Sequence, residues 1–213
     1  MNLSAIIPLL KNVFPFSIQK SREDLVHYWQ NPSWKNQPEF YIQGDNKSKF
    51  LLHIIKNYAS KKASILELGC NVGRNLHYLQ QAGFNNLSGV ELNEKAIKML
   101  RKTYPDLSKK AKIYHSTIEE KTRLFQKNQF DVTFTMAVLE HIHPESYWIF
   151  DEIVRITDKA LITIENEKHV HWSSFPRNYK RIFEKLGMKQ VEEYQCRDVE
   201  GLGNTYFARV FSS

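Results

Sequence analysis

From about residue 45 onward, the apolar positions of this chain switch repeatedly between helical and strand spacing. Over Lys47 to Ala59, residues Phe50, Leu51, Ile54, Ile55 and Tyr58 recur on one stripe and predict an amphipathic helix. Ser64 to Leu68 is a short apolar run, the pattern of a buried strand. Arg74 to Ala82 returns to helical spacing and stops at Gly83, a residue suited to the left-handed turn past a helix end. The alternation continues with strands at Leu87–Leu92, Lys112–His115, Phe130–Met136 and Ala160–Glu165. Helices are predicted over Glu94–Tyr104, from Pro144 to about Thr157, and over Arg177–Leu186. Two last strands, Lys189–Cys196 and Thr205–Phe211, have only RDVEGLGN between them.

Strands separated by helices of about ten residues need right-handed crossovers, which gives an α/β class with a mostly parallel sheet. The closing pair has no crossover helix, so a hairpin adds an antiparallel strand. In open sheets of this kind, ligands bind beyond the carboxyl ends of the strands. Chemistry is therefore sought in the loops after Leu68, Val90, Tyr114, Met136 and Ile164. Residues 1–46 stand apart as an N-terminal arm or lid, interrupted by Pro8, Pro15 and Pro32 and carrying Tyr28, Trp29, Trp34 and Tyr41. Residues 47–213 form the main domain.

Bulk properties narrow this picture only slightly. The 213 residues, 42% hydrophobic and 25% charged, suit one globular domain with a sizeable core. The net charge of +7 is spread over pairs such as Lys61–Lys62, Lys109–Lys110 and Lys180–Arg181, which reads as a solvated surface. Two cysteines, Cys70 and Cys196, make neither a disulfide framework nor a metal cluster, so no metal is expected and a reducing cytoplasm is the default. No run approaches the roughly 20 apolar residues of a membrane span.

The first loop reads Glu67-Leu-Gly69-Cys-Asn-Val-Gly73, between a strand and a helix. Its glycines let the backbone turn sharply and let a ligand approach closely. The spacing is a poor match to the dinucleotide fingerprint and no match to the phosphate-cradling lysine loop. Glu67 would repel a pyrophosphate but favours a cationic ligand. Glu91, at the tip of the next strand, is placed to accept from both hydroxyls of a ribose. His115 to Glu120 offers short polar groups to an adenine edge, and MAVLEHIHP after the fourth strand supplies an apolar cover for a flat base.

Taken together, ILELGCNVGRN, SGVELN and FDVTFTMAVLEHI resemble the class I S-adenosylmethionine-dependent methyltransferases in order and spacing, over roughly residues 47–213. The resemblance implies a Rossmann-like seven-stranded sheet with the last strand antiparallel and helices on both faces. It implies S-adenosyl-L-methionine as cofactor, with S-adenosyl-L-homocysteine as product. By the same resemblance, Glu67, Gly69, Cys70, Asn71, Gly73 and Asn75 surround the methionine part. Glu91 holds the ribose, Leu92 packs on the adenine, Ser116, Thr117 and Ile118 flank its edge, and Met136, Ala137 and Val138 form the floor near the sulfonium. One departure is Asn71, where the family carries a middle glycine; asparagine tolerates the left-handed region better than most residues.

Methyl transfer is an in-line displacement that depends on positioning the nucleophile. An oxygen acceptor of high pKa also needs a base, and His141, then His143, lie just past the fourth strand. Beyond the fifth strand, Glu165, His169, His171, Trp172 and Arg177, together with Tyr41 of the arm, are expected to bind the acceptor. The expectation is transfer to a small molecule or saccharide, on oxygen, by a cytoplasmic monomer or homodimer. A nucleic-acid acceptor is disfavoured: Met136-Ala-Val-Leu139 stands where amino-methylating enzymes carry Asn-Pro-Pro-Tyr, and neither cysteine follows a proline. Three alternatives stay open: an RNA or protein acceptor, a non-catalytic cofactor-binding subunit, and contact of Leu3–Ile18 with a membrane surface.

Overall fold

The computed structural model describes residues 20–213, so the membrane reading of Leu3–Ile18 lies outside the described residues. In chain order the regular elements are α1 (Arg22–Gln30), α2 (Asp45–Tyr58), β1 (Ser64–Leu68), α3 (Arg74–Gln81), β2 (Asn86–Glu91), α4 (Glu94–Thr103), α5 (Pro105–Lys110) and β3 (Lys112–His115). There follow α6 (Ile118–Leu124), β4 (Phe130–Met136), α7 (Ile149–Ile156), β5 (Thr157–Asn166), α8 (Tyr179–Lys185), β6 (Lys189–Gln195) and β7 (Tyr206–Ser212). The seven strands form one sheet in the order β3-β2-β1-β4-β5-β7-β6. All neighbours from β3 to β5 pair parallel, and β7 runs antiparallel to both β5 and β6.

Alternation along the strands sorts the core onto two faces. Ile65, Val132, Phe134, Ile162 and Ile164 meet Leu51, Ile54 and Ile55 of α2 and Leu76 and Leu79 of α3 on one side. Leu66, Leu68 and Leu161 meet Ile149, Phe150 and Ile153 of α7 and Ile182 and Phe183 of α8 on the other. Glu67 shares the face of Ile65, so it points into the layer between β1 and α3.

The sheet and its long helices match the expected pattern; the differences lie in short elements. The helix expected over Pro144–Thr157 divides into a tight turn at Pro144–Ser146 and then α7. At the far end, Thr157 directs its hydroxyl, 2.8 Å from the Thr133 hydroxyl, to Ile153 O and pairs with Phe130 as the first residue of β5. Helices α1, α5 and α6 were not expected from periodicity, because each is nine residues or shorter. Their start signals are present: Ser21 and Asp24 make a reciprocal capping box, Pro105 opens α5, and Thr117 accepts from Glu120 N. Helix α2 begins at Asp45, directly after Gly44 in the left-handed region.

Candidate active site

The loop after β1 is shaped by backbone rather than side chains. Gly69 and Gly73 have φ of 75° and 76°, and a Cβ on Gly69 would lie 2.6 Å from Val138 Cγ2. Asn71, where the resemblance led one to look for a glycine, takes φ 46°. Gly69 N and Cys70 N both donate to Val90 O, and Asn71 N donates to Glu91 Oε2 at 2.7 Å. The other Glu91 oxygen accepts from Asn93 N at 2.8 Å. The carboxylate that the sequence assigned to a ligand therefore also ties the first loop to the second. Burial raises its pKa, against the pull of those amide donors.

Glu67 is 2% exposed. Its Oε1 accepts from Asn75 Nδ2 at 2.8 Å, while Oε2 has no partner. Burial pushes its pKa up to about 8, with Asn75 and the Arg74 charge opposing. Asn75 Oδ1 in turn accepts from Ser48 Oγ at 2.6 Å, and Arg74 Nε donates to that hydroxyl at 3.0 Å. The Arg74 guanidinium also reaches the carbonyls of Tyr41 and Gln43, at 3.1 and 2.7 Å. A polar line thus runs from the arm to the buried acid.

A cavity of about 280 Å³ opens beside these groups. Of the residues expected around a cofactor, Glu67, Gly69, Cys70, Asn71, Asn75, Glu91, Leu92, Thr117, Ile118, Met136, Ala137 and Val138 border it. Gly73 and Ser116 do not: Gly73 turns the chain into α3, and the Ser116 hydroxyl donates to Glu120. Ala137 also sits at positive φ, 55°, with its amide donating to Ile164 O. The other end of the cavity is walled by the arm (Leu25, Val26, Trp29, Pro32, Asn36, Tyr41), by His141 to His143, and by Leu202 and Tyr206.

His141 and His143 both border the cavity. The His141 ring lies 2.6 Å from Ser173 O through Nδ1 and packs at 4.4 Å, tilted, against Trp29. A carbonyl only accepts, so Nδ1 carries the hydrogen and Nε2 keeps its lone pair. Burial drops the ring's pKa to about 4. His143 instead accepts from Glu145 N through Nδ1 at 3.2 Å.

The acceptor wall expected beyond β5 needs correction. Glu165 is 0% exposed and does not border the cavity. Its oxygens accept from Thr135 Oγ1, Val138 N and Glu140 N, which fastens the loop after β4 from below. Arg177 donates to the carbonyls of Leu139, Ile142 and Phe175, so it braces the same loop rather than offering charge to a ligand. His169 and His171 are exposed, and Trp172 packs edge-on against Tyr28 of the arm at 4.8 Å. None of the three borders the cavity. Tyr41 does, as does Trp29 of the expected lid, while periodicity gave no reason to select their companions Asn36, Leu202 and Tyr206.

Residues 66–160 match the model of a methyltransferase domain family. The ubiquinone biosynthesis O-methyltransferase of Aromatoleum aromaticum is 28% identical over 131 residues, 62% of this chain and 53% of that protein. These matches support a class I S-adenosylmethionine-dependent methyltransferase domain over residues 66–160. The chain spans about half the length of the curated relative it matches. The fold is shared with the 1,6-didemethyltoxoflavin-N1-methyltransferase of Burkholderia thailandensis, solved with 1,6-didemethyltoxoflavin and S-adenosylhomocysteine (TM-score 0.68, 15% identity, 94% of this chain and 92% of that one). It is shared also with the geranyl diphosphate C-methyltransferase of Streptomyces coelicolor (TM-score 0.69, 10% identity, 93% and 98%). Among the described residues, no helix is long and apolar enough to cross a membrane.

Proposed function

We propose that this methyltransferase moves a methyl group from S-adenosylmethionine to a hydroxyl oxygen of a small, flat, largely apolar acceptor, with His141 receiving the hydroxyl proton. The observation that carries this reading is one cavity running from the glycine loop to the His141 ring, walled at the far end by Leu25, Val26, Trp29, Pro32, Ile142 and Leu202. These side chains suit an apolar ring, and Asn36, Tyr41, His141 and Tyr206 beside them offer a few polar contacts for its substituents. The curated relative, an O-methyltransferase, supports oxygen as the acceptor atom. The N1- and C-methyltransferases with this fold are a reminder that the fold alone does not choose that atom.

The residues fit the cofactor. Glu67 Oε2 and Asn71 Oδ1 are buried acceptors without partners beside the glycine turn, suited to an ammonium group. Both Glu91 oxygens have lone pairs beyond their amide bonds for ribose hydroxyls. Glu67, Asn71 and Asn75 would hold the amino-acid end, Glu91 the ribose, Leu92 and Ile118 the base, and Met136 to Val138 the floor. When bound, the cofactor supplies an electrophilic methyl group.

The rest is the protein's own work, chiefly orientation and exclusion of water. Trp29 and Tyr41 close the cavity from the arm, and the arm is fastened by Arg74. Ser173 O fixes the His141 tautomer so that Nε2 takes the proton. A ring whose pKa sits near 4 is free of protons at neutral pH but is a weak base. It matches an acidic hydroxyl, such as a phenol or enol, better than an aliphatic alcohol.

Calorimetry with S-adenosylmethionine tests the first half, with binding expected. Labelled cofactor at saturation, offered with a panel of phenols and ring-nitrogen heterocycles, tests the second. His141→Gln is expected to cut transfer to phenols by about 100-fold. An unchanged rate would remove His141 as the base.

A further inference from the structure

Two buried carboxylates neighbour one another, and one of them, Glu140, lies beside His141. Glu140 and Glu165 are 3% and 0% exposed, and Glu140 N donates to Glu165 Oε2 at 3.3 Å. Among the described residues, the one basic group in ion-pair range of either acid is His141, whose Nε2 lies 3.6 Å from Glu140 Oε1. The same oxygen accepts from Tyr206 Oη at 3.1 Å, and Oε2 accepts from Asn166 N. Tyr206 and His141 both border the cavity, with Glu140 packed behind them.

Capping the amide of Asn166 does not require a charge, since a glutamine would do it without the cost of burying one. Two buried anions without a cation are costlier than one anion and one bound proton, so the cluster holds a proton around neutrality. In keeping with this, burial lifts both acids above the carboxylate range while it lowers His141. The other titratable groups facing the pair are Tyr206 of β7, Tyr41 of the arm, Tyr179 of α8, and His171 of the loop after β5.

We propose that Glu140 is the positioning partner of His141, compensating the charge that the imidazole acquires, and that Tyr206 sets the strength of this carboxylate. This rests on the reading of His141 as the base. When the acceptor's O–H bond breaks, its electron pair stays on oxygen and the proton goes to Nε2. The imidazolium N–H so formed faces Glu140 Oε1. Transfer of that proton leaves a neutral imidazole and a carboxylic acid, which returns the proton to solvent. The cavity thus carries a base whose weakness is offset by an acid held close to its own switching point.

The test needs neither cofactor nor acceptor. Ring-labelled histidine in the full chain is followed by NMR from pH 4 to 9, with the His141 signals identified by their loss in His141→Gln. In the wild type the His141 ring shifts in a step in the neutral range, as Glu140 titrates beside it. Glu140→Gln abolishes this step. Tyr206→Phe removes a donor that favours the ionised carboxylate, so the step moves upward by at least half a pH unit; this variant leaves the Asn166 cap intact should Glu140→Gln fold poorly. Absence of the step in wild type, its persistence in Glu140→Gln, or an unmoved step in Tyr206→Phe would overturn the proposal. Failure of the underlying function appears separately, as an unaltered transfer rate in His141→Gln, which the titration does not report.

Discussion

The two ends of the cavity are made in different ways. The cofactor end comes from four loops that each follow a strand directly, and most of its ligand-facing groups are backbone turns or residues one or two positions from a strand end. The acceptor end draws Trp29 and Tyr41 from the arm, His141 from a tight turn, and Leu202 and Tyr206 from the final hairpin. The first is fixed by the sheet itself, the most deeply packed part of the chain. The second depends on contacts between segments far apart in sequence, chiefly Arg74 to the arm carbonyls and Tyr28 to Trp172. On the proposed function, elements of the first kind would constrain what cofactor binds, and elements of the second kind would select the acceptor.

The sharpest way to break the cofactor end is Gly69→Ala. A Cβ there meets Val138 at 2.6 Å with φ already positive, so cofactor affinity is expected to fall on the order of 100-fold by calorimetry, with about 2 kcal/mol lost in thermal stability. If Gly69→Ala bound normally, the rigid-loop account would fail.

Arg74→Ala separates the two ends. It leaves the Tyr41 and Gln43 carbonyls unpaired and should cost about 2–3 kcal/mol. Hydrogen exchange is expected to rise over residues 31–44 while the strands keep their protection. Uniform loss of protection would mean that the arm is not a separate unit.

Glu67 gives a pH-dependent contrast. Its folded pKa, near 8, lies above that of an ordinary glutamate, so the folded state binds the extra proton between about pH 4.5 and 8. Its contribution to stability is present below this window and is lost as pH rises through it. The thermal midpoint of the ligand-free protein should therefore carry a falling component across that range, and Glu67→Gln should flatten it. An unchanged slope in the variant would show that Glu67 ionises normally. The smallest effect is expected at Trp34, which is 74% exposed and does not border the cavity. Trp34→Ala should change stability by no more than about 0.5 kcal/mol and leave transfer rates alone.

Much of the glycine-loop end of the cavity was legible because it obeys local rules. Glu67 closes a strand, Gly69 and Gly73 bracket a turn, and Glu91 ends the next strand, so each position follows from a short stretch of chain. Even Asn71 behaved as asparagine's conformational tolerance suggested, at φ 46°. Glu165 and Arg177 were misjudged for a physical reason. Their residue types suit ligand binding, but the unpaired amides and carbonyls of the loop after β4 needed partners and took them. Tyr206 was not singled out because nothing adjacent to it in sequence hints at Glu140.

By itself, then, the sequence determined the order of strands and helices, the antiparallel closing pair and the strand-end loops that border the cavity, since periodicity and glycine placement act over a few residues. Only the tertiary structure decided which polar groups remain available. That depends on the hydrogen-bond demands of distant backbone and on burial, which tie up Glu165 and Arg177 and bring Glu140, His141 and Tyr206 to one wall.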